Sequence, residues 1–115
     1  MAVFKYNEIV AVKADEDVYL TIKHPSVGTA SHSIIDLPGD NDLEAVNEAK
    51  LFLGKGATLL NERTVVYSKV VNMDANNQNV EIQYLINDII RIDHSNPKSI
   101  DPSPQIKINF IFIES

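Results

Sequence analysis

The chain has 115 residues, a net charge of −6 and no cysteine. Its length suits one domain spanning residues 1–115 with one core. The missing cysteine excludes disulfides, thiolate nucleophiles and zinc–thiolate sites. The 10 scattered Lys and Arg against 16 acids argue against nucleic acid or an anionic membrane as partner.

The first strand expected runs from Val3 to Ala14. Phe4, Tyr6, Val10 and Val12 share one parity, while Val3, Ile9 and Ala11 share the other. The change of parity near Asn7 and Glu8 reads as a bulge. The opening residues lack the basic segment and long apolar run of a signal peptide, which points to the cytoplasm or to export by another route. After the acidic turn Asp15-Glu16-Asp17, Val18 to His24 reads as a strand with Val18, Leu20 and Ile22 facing in. Pro25 ends it, because proline cannot donate to a ladder.

Ser31 to Leu37 reads as a third strand. Its inward set is Ile35 with Leu37, or else Ile34 with His32. Pro38-Gly39-Asp40-Asn41-Asp42 is a turn. Asp42 to Asn47 reads as a turn or short helix, because Asn41 and Glu44 have capping-box spacing. Glu48 to Leu53 then alternates as a strand.

The clearest pattern is Arg63 to Asp88. Thr64, Val66, Ser68 and Val70 alternate with Val65, Tyr67, Lys69 and Val71, and apolar residues on both faces predict a central strand. Val80, Ile82, Tyr84 and Ile86 form the apolar face of the next strand, with Leu85 on its polar face. The polar segment Asp74 to Asn79 between them predicts a long hairpin loop. Ile89 to Asp93 reads as a short strand and His94 to Pro104 as a loop rich in Pro and Ser. The last strand buries Ile106, Ile108, Phe110 and Phe112, each worth about 1.5–3 kcal/mol, and belongs in the middle of a sheet. The core expected is the Arg63–Asp88 hairpin plus this strand. The whole pattern predicts an all-β fold, an antiparallel β-sandwich of seven or eight short strands with immunoglobulin-like architecture; a partly open β-barrel is the alternative.

The candidates for chemistry are few. His24, His32 and His94 with a nearby carboxylate are a zinc possibility, but their spacing matches no zinc motif, and solvated positions are the simpler reading. The acidic loops Asp15–Asp17 and Asp40–Asp42 are a calcium possibility of the kind that needs six to eight converging oxygens. Asp74-Ala75-Asn76 begins like a calcium loop, but lacks the glycine and glutamate that complete one. Leu53-Gly54-Lys55-Gly56 lacks the first glycine of a phosphate loop and reads as a turn. Ser31, His32, Ser33 and Asp36 alternate across a strand, so His32 and the serines face opposite ways and form no triad. No residue is assigned as catalytic, cofactor-binding or metal-binding, and no cofactor is expected.

The run from Leu53 to Asp88 looks like small all-β bacterial proteins of uncharacterised function. Its marks are Leu-Gly-Lys-Gly-Ala before one strand and Asn-Met-Asp-Ala-Asn-Asn-Gln-Asn-Val between strands. The resemblance implies a bacterial β-sandwich and carries no activity. The function expected is a non-enzymatic protein-interaction or structural module, partnered by another protein or by its own copies through second strand faces that include Leu85, Ile111 and Ile113. The alternatives are a calcium- or ligand-binding module using the loops at one end, and a small hydrolase or isomerase in a half-open barrel. A cavity lined by His32 or His94 with a carboxylate would favour the last.

Overall fold

Alternation of β-branched and polar residues gives the chain its strands, and short Asn-, Asp- and Gly-rich turns separate them. The computed structural model describes residues 3–115. Its elements are β1 (Val3–Val12), β2 (Asp17–Lys23), β3 (Thr29–Asp36), β4 (Asp42–Val46), β5 (Ala49–Lys55), the single-turn helix α1 (Gly56–Leu59), β6 (Arg63–Asn72), β7 (Asn79–Ile86), β8 (Ile89–Pro97) and β9 (Gln105–Glu114). They form a five-stranded sheet in the order β1-β9-β6-β3-β4 and a four-stranded sheet in the order β5-β2-β7-β8. The molecule is the expected all-β sandwich. All strand pairs are antiparallel except β1 with β9, which is parallel.

Between the sheets lie Val18, Leu20 and Ile22 of β2, Val66 and Val70 of β6, Ile82, Tyr84 and Ile86 of β7, and Ile106, Ile108, Phe110 and Phe112 of β9. As expected, β9 is central: it sits between β1 and β6.

The central hairpin does not exist. β6 pairs with β3 and β9, whereas β7 pairs with β2 and β8 in the other sheet. β7 has one strongly apolar face, and the inward parity of β6 carries Val66 and Val70 among Thr64, Ser68 and Asn72. Stacking the two across the interior buries both faces, which pairing in one plane does not. The loop between them is long enough to change layers, and main-chain N–H groups of Asp74, Asn76 and Asn79 donate to the side chains of Asn72, Asp74 and Asn77. Gly28 packs against this loop at φ +86°, where an added Cβ would lie 2.7 Å from Asp74 Cβ.

The real hairpin turn is Asn87-Asp88, between β7 and β8. Both residues have positive φ, 47° and 67°, as a primed two-residue turn requires. Three further expectations change. Asp42–Val46 is a strand, paired with β3, not a turn or helix. β8 continues through His94 to Pro97. β1 runs in unbroken register along β9 without a bulge, and it leaves Ile9 outside at 64% exposure. In β3 the first alternative holds for Ile35, which is buried, while His32 and Ile34 face out.

The two sides of the sandwich are closed differently. On one, β4 runs directly into β5 through Asn47, whose φ is +64°. On the other, β1 and β8 are free edges, joined by Tyr6 Oη and His94 Nδ1 at 2.6 Å. Phe4 and Tyr6 also set their rings edge-on to His94, with centroids 4.7 and 5.9 Å away.

Candidate functional site

The three histidines lie apart. His94 is 1% exposed in the core. Its Nε2 lies 2.7 Å from Asn96 Oδ1, and Asn96 Nδ2 donates to the carbonyls of Pro97 and Asp101. Those two donations fix the amide orientation, so Asn96 Oδ1 accepts from His94 Nε2–H. Nδ1 lies within hydrogen-bond distance of Tyr6 Oη. Every polar atom of the ring is used, and the group is a structural clamp.

His24 sits at the end of β2, with Nε2 2.7 Å from Ser31 Oγ. Burial holds its pKa below the ordinary value, against the opposing charge of Glu48. Glu48 accepts the main-chain N–H of His24 rather than a ring N–H, so the pair has no carboxylate orienting the imidazole as in a hydrolytic triad. Ser31 is further committed through its main chain, exchanging hydrogen bonds with Asn47.

The acidic turn is spoken for by the fold. Glu16 accepts from the main chain of Lys13 and from Asn87 Nδ2, and its pKa is lowered by these bonds in that order. Asp17 pairs with Lys55 at 2.8 Å. Asp42 stands opposite Asp36 in the β3–β4 register, and its carboxyl is pushed up by desolvation, then by Asp36 and Asp40. Among the described residues no three His, Asp or Glu side chains gather as a metal ion would need.

His32 belongs to a broad surface feature, the outer face of the five-stranded sheet. Here β1, β9, β6, β3 and β4 present their second parity, and register alignment orders those side chains into rows. One row reads Val3, Gln105, Lys69, His32, Val46. The next reads Lys5, Lys107, Tyr67, Ile34, Glu44. The third reads Asn7, Asn109, Val65, Asp36, Asp42. A depression of about 430 Å³ opens on the first two rows, between Val3, His32, Ile34 and Tyr67. A shallower one of about 480 Å³ shares His32 and Lys69 and reaches Val46 and Val71.

Lys107 lies over the Tyr67 ring, 5.6 Å from its centroid. His32, which lines the depression, has its Nε2 3.4 Å from Oε1 of Glu44, a carboxylate outside the lining. The depression lacks a serine nucleophile. Ser31 and Ser33 point inward, and Ser68 turns its Oγ to Ser33 Oγ at 2.6 Å inside the core.

Of the second-face residues expected outside, Ile113 is 40% exposed and Ile111 half-buried. Leu85 is 5% exposed although it keeps the outer parity, opposite Thr21 and between the inward Tyr84 and Ile86, and it lies outside the core cluster. The row structure escapes a reading of the sequence because it depends on which strands are neighbours. Its only trace is the interruption of apolar runs by Lys69 and Lys107.

No protein-family model, curated protein or solved structure matches this chain. Among the described residues no helix is long and apolar enough to cross a membrane.

Proposed function

We propose that the chain is a non-enzymatic protein-interaction module that docks through the outer face of its five-stranded sheet. The observation that carries this reading is a group of exposed apolar side chains, Tyr67, Ile34 and Val46 on the adjacent strands β6, β3 and β4, with Val3 beyond β9 on β1, each 42–65% exposed. Clustered apolar area of this kind is what a partner covers with gain. Tyr67 and the surrounding lysines supply the aromatic and polar groups that interface centres and rims use.

The outer face of the four-stranded sheet is a weaker candidate. Its most exposed ring, Phe52, leans on Tyr19 with centroids 5.3 Å apart, and Lys50 lies over Tyr19 at 5.1 Å. A cytoplasmic location, or export without a classical signal peptide, accompanies the proposal and suits a chain without cysteine.

The test compares the faces in the source cell. Tagged wild type, Tyr67→Asp and Phe52→Asp are used to recover bound protein, with folding checked by circular dichroism. Loss of a recovered protein from Tyr67→Asp alone supports the reading. Equal recovery by all three refutes it.

A further inference from the structure

We infer that the partner on this face is a second copy of the chain, packed sheet against sheet about a two-fold axis that runs along β6. This rests on the docking surface proposed above and names its occupant.

The argument is the distribution of charge. The outward cations, Lys5, Lys107, Lys69 and Arg63, all lie on β1, β9 and β6. The outward anions, Asp36, Asp42 and Glu44, all lie on β3 and β4. The face is therefore polarised across its strands, with β6 in the middle. A two-fold axis along β6 carries each strand onto its opposite: β1 onto β4 and β9 onto β3. In such an isologous contact, residue i meets j and j meets i.

Row by row, Val3 then faces Val46, Lys5 faces Glu44, Asn7 faces Asp42, Gln105 faces His32 and Asn109 faces Asp36. Tyr67 and Val65 meet their own copies on the axis. Val3 meets Val46, Lys5 meets an acid and Asn7 and Asn109 meet carboxylates, while Lys107 lies over Ile34, where only its aliphatic stem can pack. An axis across the strands would instead lay each charged column on itself. Aligned sheets cross at about 30°, which keeps these partners within reach of long side chains.

The area also fits. Strands about 4.8 Å apart, rising about 3.3 Å per residue, give this face a flat area of about 700 Å² before side-chain relief is added. Stable interfaces bury about 800 Å² per partner. The polarity answers a second problem as well. A chain with net charge −6 repels its copies, and pairing a basic column with an acidic one offsets that repulsion locally.

Two encounters are unfavourable: Lys69 and Arg63, both outward on β6, each meet their own copies near the axis. This gives the arrangement a signature that general stickiness lacks. Sedimentation equilibrium of the full chain at low salt measures the dimer constant. Lys5→Glu and Glu44→Lys should each weaken the dimer about tenfold, and the double variant should restore it, because the swapped charges face each other again. Lys69→Ala should tighten the dimer. High salt should weaken the wild type and narrow these differences. All three side chains are exposed, so the variants fold.

A wild type that stays monomeric at about 100 µM, a concentration at which most specific dimers form, overturns the inference. So does a dimer indifferent to the three positions. If the chain is monomeric but Tyr67→Asp still loses a partner that Phe52→Asp keeps, only the identity of the partner has failed. If neither association nor recovery depends on this face, the docking surface falls with it.

Discussion

The interior of this sandwich and the outer face of its five-stranded sheet depart from the usual inside–outside rule in opposite ways. Inside, the core contains Ser33, Ser68, His94 and Asn96, each under 5% exposed. Outside, Val3, Ile34, Val46 and Tyr67 stand in water. The difference lies in who supplies the partners. Ser33 and Ser68 satisfy each other, and His94 is satisfied by Tyr6 and Asn96. Intramolecular partners turn those polar groups into clamps between strands. The apolar groups outside stay 42–65% exposed, and further burial of them would have to come from the partner proposed above.

The strongest way to break this comparison is to remove the central clamp. His94→Ala leaves Tyr6 Oη and Asn96 Oδ1 without their partner and opens a cavity between β1 and β8. The cost should be about 2–4 kcal/mol in urea unfolding. A loss below about 1 kcal/mol would mean that the edges hold without the ring, and that the interior polar groups are passengers. Next in size is the serine pair. Ser33→Ala should cost about 1–2 kcal/mol by orphaning Ser68, and adding Ser68→Ala should recover part of it, because no buried hydroxyl then lacks a partner. Strict additivity of the two changes would deny the coupling.

Much of the fold was legible from period alone. The inward sets of β2, β7 and β9 follow from alternation, since one parity is apolar in each, whereas β6 has apolar residues on both faces and turns the parity of Thr64, Ser68 and Asn72 inward. What periodicity does not encode is which strands are neighbours. β6 and β7 adjoin in sequence, and the polar residues between them suit a hairpin loop or a layer change equally well. Asn87-Asp88 carried the local signal for the true hairpin, but it follows Ile86 and precedes Ile89-Ile90 with no break in the run of apolar residues. Pro97 and the prolines after it masked the length of β8, although an edge strand accepts proline. The candidate face was the least legible part, because its rows join side chains from five strands that alignment alone brings together.

Tyr84→Phe tests the interior from the other side. Tyr84 is 0% exposed, and its Oη makes no hydrogen bond of full geometry, although the Ser68 side chain that bonds Ser33 is near enough to lower its pKa slightly against burial. Burial pushes the phenol well above its ordinary range. Removing this hydroxyl should leave stability unchanged or raise it by up to about 1 kcal/mol. A clear loss in melting temperature would show that the hydroxyl is satisfied. His24 gives a smaller effect of definite sign. Its folded pKa lies below the ordinary 6.5, so the unfolded chain binds more protons once pH falls below that value. Stability contributed by the neutral ring is full above pH 6.5 and is lost as pH drops toward the folded value. Unfolding curves from pH 7 to 5 should therefore fall more steeply for wild type than for His24→Gln. Parallel curves would remove the linkage.

The smallest expected effect on the monomer is the most informative about the comparison. Ile34→Thr replaces an apolar side chain already 42% exposed, on an inner strand flanked by β4 and β6. Threonine keeps the β-branch that strands favour, so backbone preference is little changed. Little buried packing is removed, and the isolated chain should change in stability by no more than about 0.5 kcal/mol. The same substitution on a buried position such as Ile35, its immediate neighbour at 0% exposure, places an unpaired hydroxyl in the core and should cost several times more. The pair is best measured well below any association constant, by thermal melts at low protein concentration. If Ile34→Thr destabilises the dilute chain as Ile35→Thr does, the face is held by the monomer itself and needs no partner. If Ile34→Thr is neutral when dilute and lowers the melting temperature only as concentration rises, the stabilisation withheld from the monomer is being supplied by association.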